Sequence, residues 1–296
     1  MSNILEHLKQ TQKKEWTLED KANYLLYSTK RQVELYSQYT RMHNKAERQM
    51  LEAATRPIIS KFGETLNIIG LAAGTSEKES IILKAALLAG KRPNYFAVDK
   101  SFEMLKASGI NVPLRAEAYY LLVDLFSTNL LELGEAVGAP NLIAFLGYTA
   151  FNFGRTKALR YLQQNMATGD SAIITVGLLP KDLDRLIADY FTPEIQGWFM
   201  GTFVQAGFAE NDLDYRVMFD KTRKHVKLGA VASNVPQHVK AYGIEAGDYL
   251  VLSTSIKLPL EGRGGYLPLI GKYLHIDNVF TEPTGMTAVI QASAKA

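Results

Sequence analysis

The chain has 296 residues, no cysteine and a formal net charge of +3, with 47% hydrophobic and 21% charged residues. That length suits one large α/β domain, or a domain carrying a sizeable insertion, with enough apolar side chains to bury a core. The lack of cysteine excludes disulfides, thiolate metal sites and a cysteine nucleophile, and so small a positive charge is no argument for nucleic acid.

The opening "MSNILEHLKQTQKKEW" has no apolar core of signal-peptide length, and the longest apolar run, Leu142 to Phe151, is too short to cross a bilayer. The expectation is a soluble, cytoplasmic protein that meets no membrane. Residues 1–61 read as helical: Thr17, with Glu19 and Asp20 behind it, gives a capping signal, and no glycine or proline intervenes before Pro57. Tyrosines recur at Tyr24, Tyr27, Tyr36 and Tyr39, as core or interface residues with a wet hydroxyl or as the lining of a pocket.

From Leu66 the rhythm changes. Strands are predicted near 66–71, 94–99, 118–123, 141–147 and 170–176, with helices near 76–89, 101–107, 155–167 and 181–190. Strands alternating with helices of this length imply βαβ units and a parallel sheet. Past 191, "DYRVMFD", "KHVKLGAVA", "HVKAYG" and "YLVLSTSIKL" read as a β meander. The basic cluster "KTRKHVK" at 221–227 reads as a solvated strand face. A helix near 264–273 and two strands joined at Pro283, Thr284 and Gly285 follow. The expected segments are a helical part (1–61), an α/β core (62–190), a β-rich insertion (191–258) and a return to the core (259–296).

In an open parallel sheet, ligands sit beyond the carboxyl ends of the strands. "GLAAGTSEK" lies at such an end, where Gly70, Ala72, Ala73 and Gly74 leave the backbone approachable. Thr75 and Ser76 are placed to cap the next helix, whose amides favour a carboxylate or phosphate. Asp99, 25 residues after Gly74, ends the second strand and can accept from a ribose diol. Dinucleotides and S-adenosylmethionine both use this arrangement. With Ala72 and Lys78 where a pyrophosphate loop wants glycines, a ligand with a ribose and an amino-acid tail fits better. A plain small-residue turn is the alternative.

"GLAAGTSEK", "VDKS" and "FLGYTAFN", in that order, resemble the histidine-specific N-methyltransferase family, whose pattern reads E-L-G-x-G-T-S-x-K, V-D-x-S and F-L-G-x-T-x-x-N. The family includes the ergothioneine-pathway histidine Nα-methyltransferase and fungal dimethylallyltryptophan N-methyltransferases. The match is good over about 66–190 and looser over 1–61 and 247–292. The resemblance implies a Rossmann-like class I methyltransferase sheet, with a substrate domain assembled from N-terminal helices and a β insertion. It also implies S-adenosylmethionine as cofactor and a small-molecule amine or amino acid as acceptor.

By the same resemblance, Gly74 and the neighbouring backbone hold the methionine part of the cofactor, Gly70, Ala72, Thr75 and Ser76 belong to the same cofactor-binding loop, and Lys78 falls on the family's lysine. Asp99, with Lys100 and Ser101, takes the ribose. Asp124, beside Leu125, approaches the adenine amino group, with helix capping as its other reading, and Gly147 completes the edge. Two departures stand out: the family's acid at the first strand end is Gly70 here, and its first loop glycine is Ala72.

The family's substrate-binding asparagine falls on Asn152, which could otherwise cap the helix 155–166. Its substrate tyrosine is approximated by Tyr39, with the spacing off by one residue, so that Tyr36 or Tyr39 carries the role. Asn152 and Tyr39 are the candidate catalytic residues. Methyl transfer needs a neutral amine and close approach rather than strong acid–base chemistry, so no general base is nominated. Aligned on Lys257, the histidine enzymes' imidazole-gripping glutamate and serine fall on Ser253 and Ser255, which points away from free histidine. Glu245 and Glu261 are the other carboxylates in reach. Histidines at 7, 43, 225, 238 and 275 lack ligand spacing, so no metal is expected. A nicotinamide oxidoreductase and a non-catalytic relative are the rival readings.

Overall fold

The computed structural model describes residues 4–43 and 45–295. The chain opens with β1 (Leu8–Gln12), β2 (Glu15–Leu18), α1 (Lys30–His43) and α2 (Lys45–Ile59). An alternating run follows: β3 (Thr65–Leu71), α3 (Glu79–Leu88), β4 (Arg92–Asp99), α4 (Phe102–Asn111), β5 (Glu117–Leu122), α5 (Leu130–Val137), β6 (Asn141–Phe145), α6 (Lys157–Asn165) and β7 (Ser171–Gly177). Then come α7 (Leu183–Ala188), α8 (Pro193–Gln205), β8 (Leu213–Asp220), β9 (His225–Ala232), α9 (Gln237–Lys240) and β10 (Tyr249–Ile256). The last elements are α10 (Tyr266–Ile270), β11 (His275–Thr281) and β12 (Thr287–Ser293).

These elements form two compact units, Met1–His43 with Lys181–Ile256, and Asn44–Pro180 with Lys257–Ala296. The larger unit is a seven-stranded sheet in the order β11-β12-β7-β6-β3-β4-β5. Strands β3 to β7 run parallel, while β12 and β11 return antiparallel. Since β3 pairs with β4 on one side and β6 on the other, the strand order reverses there, where a parallel sheet opens its ligand crevice. The apolar runs of β3, β6 and β7 are buried along almost their whole length, as strands covered on both faces should be. Leu51, Ala54, Ile58 and Ile59 of α2 close the core over Ile68, Leu83 and Val289. So α2, expected with the helical segment 1–61, belongs to this unit.

The smaller unit holds a five-stranded sheet, β1-β2-β10-β9-β8. Three expectations fail here. The helical reading of 1–61 misses the β1–β2 hairpin, which turns at Lys14 in a left-handed conformation (φ 62°) and is fixed by β2 running parallel to β10, more than 230 residues away. "HVKAYG" is a short helix and turn, seated by the fully buried Val239. The cluster 221–227 is not wholly solvated: β9 is an inner strand, and Lys227 is buried between Glu15 (2.8 Å) and Asp220 (3.5 Å). Helix α8, absent from the sequence reading, buries Ile195, Trp198, Phe199 and Phe203. Among the described residues no helix is long and apolar enough to cross a membrane.

Candidate active site

The loop after β3 is held to the end of β4. Ala73 N–H donates to the Val98 carbonyl (3.1 Å), and Gly74 N–H donates to Asp99 Oδ2 (2.9 Å). Asp99 Oδ1 accepts from Ser101 N–H (2.8 Å). Burial raises the Asp99 carboxyl above its ordinary value, against the opposing pull of the Ser101, Gly74 and Lys100 amides. With three amides on its four lone-pair sites, the aspartate can secure the loop and still accept a hydroxyl from a bound ribose.

Ala72, Gly74 and Ser76 all adopt left-handed conformations (φ 51°, 55° and 56°). A Cβ on Gly74 would meet only Met104 Sδ, at 3.8 Å, so the constraint at this glycine is its backbone conformation rather than crowding. Ala72 adopts the same conformation with a side chain, at a cost of about 1 kcal/mol. Ala72→Gly is therefore expected to raise stability by about 1 kcal/mol in urea unfolding; a loss of stability would show that the alanine methyl packs usefully.

Gly70 is crowded, so that a side chain there would displace its neighbours. Its Cβ would lie 2.9 Å from Tyr95 Oη, 3.1 Å from Ala73 Cβ and 3.2 Å from Glu79 Cγ. Thr75 and Ser76 do not cap α3, whose N-cap residue is Lys78 with no side-chain cap bond. Ser76 Oγ instead joins a buried network with Tyr95 Oη (2.6 Å) and Ser108 Oγ (2.5 Å), while the Thr75 carbonyl accepts from Asn111 Nδ2 (2.8 Å). Ser101 does cap α4, accepting from Met104 N–H (3.3 Å). Asp124 accepts from Phe126 N–H (3.1 Å) and lies 3.6 Å from Lys100 Nζ, beside the buried Leu125.

Lys78 has a partner that sequence reasoning missed. Glu47 of α2 is fully buried, with Oε2 2.7 Å from Lys78 Nζ. Glu47 Oε1 accepts from Gly147 N–H (2.8 Å) and Thr175 Oγ (2.6 Å). One carboxylate thus ties the loops after β3 and β6 to β7. Beyond Gly147, Tyr148 is left-handed (φ 62°), an unusual conformation for a bulky residue. It is held by Thr287 Oγ at its hydroxyl (2.9 Å), with Lys257 Nζ 4.8 Å and Lys78 Nζ 5.8 Å from its ring centroid.

This loop leads into Asn152. Helix α6 begins at Lys157 with Thr156 as N-cap, so Asn152 is not its cap. The Asn152 amide oxygen is buried and has no hydrogen-bond partner among the described residues. A native protein seldom leaves such an atom unsatisfied; a water, an ion or a ligand completes it.

In the smaller unit, Tyr36 packs against Tyr27 and Trp198 with ring centroids 5.1 and 5.2 Å away, and Tyr39, on the same helix, is half-buried. Ser253 and Ser255 face Leu228 and Val226 of β9 across the sheet. Glu245 and Glu261 are both exposed. No group of three or more histidine, aspartate or glutamate side chains among the described residues could hold a metal ion.

A sheet whose first strand pairs with the second and the fourth, with a reversed hairpin at its far end, is the class I S-adenosylmethionine-dependent methyltransferase arrangement. The sequence pattern of the histidine-specific, S-adenosylmethionine-dependent methyltransferases matches residues 1–294, and the chain belongs to that family. The nicotinamide alternative falls with this assignment.

Among solved structures, the fold is similar to the PH0226 protein of Pyrococcus horikoshii OT3 (TM-score 0.51, 12% identity, 88% of this chain and 97% of that one). Other similar structures are the plantazolicin methyltransferase BpumL in complex with SAH (TM-score 0.43, 13% identity, 93% and 98% of the two chains) and the CcbJ methyltransferase of Streptomyces caelestis (TM-score 0.42, 14% identity, 83% and 90%). No curated protein matches the chain in sequence.

Proposed function

We propose that this methyltransferase acts on the amino group of a small amino acid, amino-acid derivative or amine other than free histidine. The observation that carries this reading is the unpartnered, buried oxygen of Asn152. An amine N–H is the donor it lacks, and the amide's own N–H₂ can donate to a carboxylate on the same acceptor. Support for excluding histidine comes from β10, where Ser253 stands at the position of the imidazole-gripping glutamate and neither Glu245 nor Glu261 is buried. A pocket built to bond a ring N–H discriminates through a buried acceptor, and a missing charged acceptor forfeits about 1.5–3 kcal/mol.

The residues present fit the cofactor: the loop at Gly74 has room, and Asp99 has acceptor capacity left for a ribose hydroxyl. S-adenosylmethionine, when bound, supplies an electrophilic methyl group on sulfur. The chain's part is to hold the amine near it with the lone pair free. Asn152 can orient that nitrogen by accepting one of its hydrogens.

The test is Asn152→Ala. Removing an unsatisfied buried oxygen should leave stability unchanged or slightly raised, and leave SAH affinity intact. The acceptor's kcat/KM should fall by roughly 10- to 100-fold, the scale of a lost hydrogen bond in a buried site. The acceptor itself would come from a mass-spectrometric screen of amino acids and amines for methyl addition. Loss of stability with kinetics intact would return Asn152 to a structural role, and L-histidine as the best acceptor would overturn the β10 argument.

A further inference from the structure

The space beside Gly70 is occupied by an unusual group. Glu79, at the start of α3, is only 3% exposed, and its Cγ lies 3.2 Å from where a side chain at position 70 would begin. A side chain at the end of β3 would press on Glu79, which would have to shift to admit it. No side chain among the described residues pairs with Glu79 at ion-pair distance. The charged and titratable groups around it are Lys78 from its own helix, Glu47 from α2, and Asp99 and Tyr95 from β4. None neutralises it: Lys78 is engaged by Glu47 at 2.7 Å, Tyr95 is bonded to Ser76, and Glu47 and Asp99 share its sign.

We propose that Glu79 is a cofactor-binding residue, a buried acid that reaches the cofactor edge from helix α3 in the space that Gly70 vacates, and that it accepts the positively charged amino group of the ligand's amino-acid tail. This rests on placing the cofactor at the Gly74–Asp99 edge. Burial holds the carboxyl protonated in the free protein, pushing it up to about 8 despite its own backbone amide and Lys78. When an ammonium arrives, the carboxyl O–H bond breaks, the proton leaves to solvent and a carboxylate–ammonium pair remains. Cofactor binding thereby becomes coupled to pH. A missing strand-end acid is thus replaced by one that is uncharged until the ligand is present, which avoids an unpaired buried charge in the free enzyme.

Isothermal calorimetry of SAH binding, in two buffers of different ionisation heat and at pH 6, 7 and 8, tests this. The unmodified protein should release close to one proton at pH 7. Its affinity should tighten by about 50-fold from pH 6 to 8, as expected for a carboxyl of pKa about 8 that must ionise. Glu79→Gln, close to the protonated side chain in shape and charge, should fold normally and bind about as well at pH 6. At pH 8 it should bind far more weakly, with no proton released. Equal affinity of the two proteins at pH 8, or proton release that persists in Glu79→Gln, would overturn the assignment. Asp99→Asn separates this from the underlying site: if it binds SAH as tightly as the unmodified protein, the edge itself is misplaced and this inference falls too. If Asp99→Asn weakens binding while Glu79→Gln does not, only the role of Glu79 falls.

Discussion

Glu47→Ala should destabilise the protein by about 3–5 kcal/mol, the scale for removing one partner of a buried ion pair. The substitution removes the carboxylate 2.7 Å from the buried Lys78 ammonium, and deprives Gly147 N–H and the Thr175 hydroxyl of their acceptor. It also opens a hole in a fully buried position of α2. Glu47→Gln should cost less, because the amide oxygen can still accept from Gly147 and only the negative charge beside Lys78 is lost. Urea unfolding of the three proteins would measure this, and a cost below about 1 kcal/mol for the alanine variant would mean that the network relaxes around its loss. A partly folded alanine variant should lose acceptor turnover before cofactor binding, since the Gly147 loop leads to Asn152 while Gly74 is held separately by Asp99.

Asp99→Ala should weaken cofactor binding by about 2–3 kcal/mol, or roughly 30- to 150-fold in Kd. Two causes add. The ribose loses a charged acceptor, and the loop loses the bond from Gly74 N–H that fixes it against β4. Asp99→Asn separates them, since its amide oxygen can still accept from Gly74 and should recover part of the loss. Thermal shift with SAH is a sufficient readout, and unchanged affinity in the alanine variant would move the cofactor away from this edge.

What was legible in the sequence follows from the range of the interactions. Strands β3, β4, β6 and β7 are short apolar runs punctuated by turns, and their signal is local. So is the left-handed Gly74 turn. The β1–β2 hairpin was not legible, because "LKQTQKKEWTL" becomes extended by pairing with β10, a partner far along the chain. Helix α8 was hidden by Gly197 and Gly201, which dilute a helical pattern that is stabilised by burial of Trp198 and Phe199. Of the site, the loop, Asp99 and Asn152 were marked by motif. Glu47 was not, since its partners Gly147 and Thr175 are 100 and 128 residues away. Glu79 had one visible sign, an acid opening the otherwise apolar helix "ESIILKAALL".

The order of the strands also has a consequence during synthesis. Strand β7, buried along its full length and free of charge or proline, pairs on one side with β6 and on the other with β12. Residue 287, where β12 begins, follows residue 177 by 110 positions, a delay on the order of ten seconds at ordinary translation rates. Throughout that interval the nascent chain has β7 available with one edge unpaired, a template for pairing with neighbouring chains on the same message. The smaller unit's segment 181–256 is synthesised within the same window. Chains truncated before residue 287 should therefore aggregate when released, and recovery of the full protein should depend on chaperones that cover this edge until its last partner arrives.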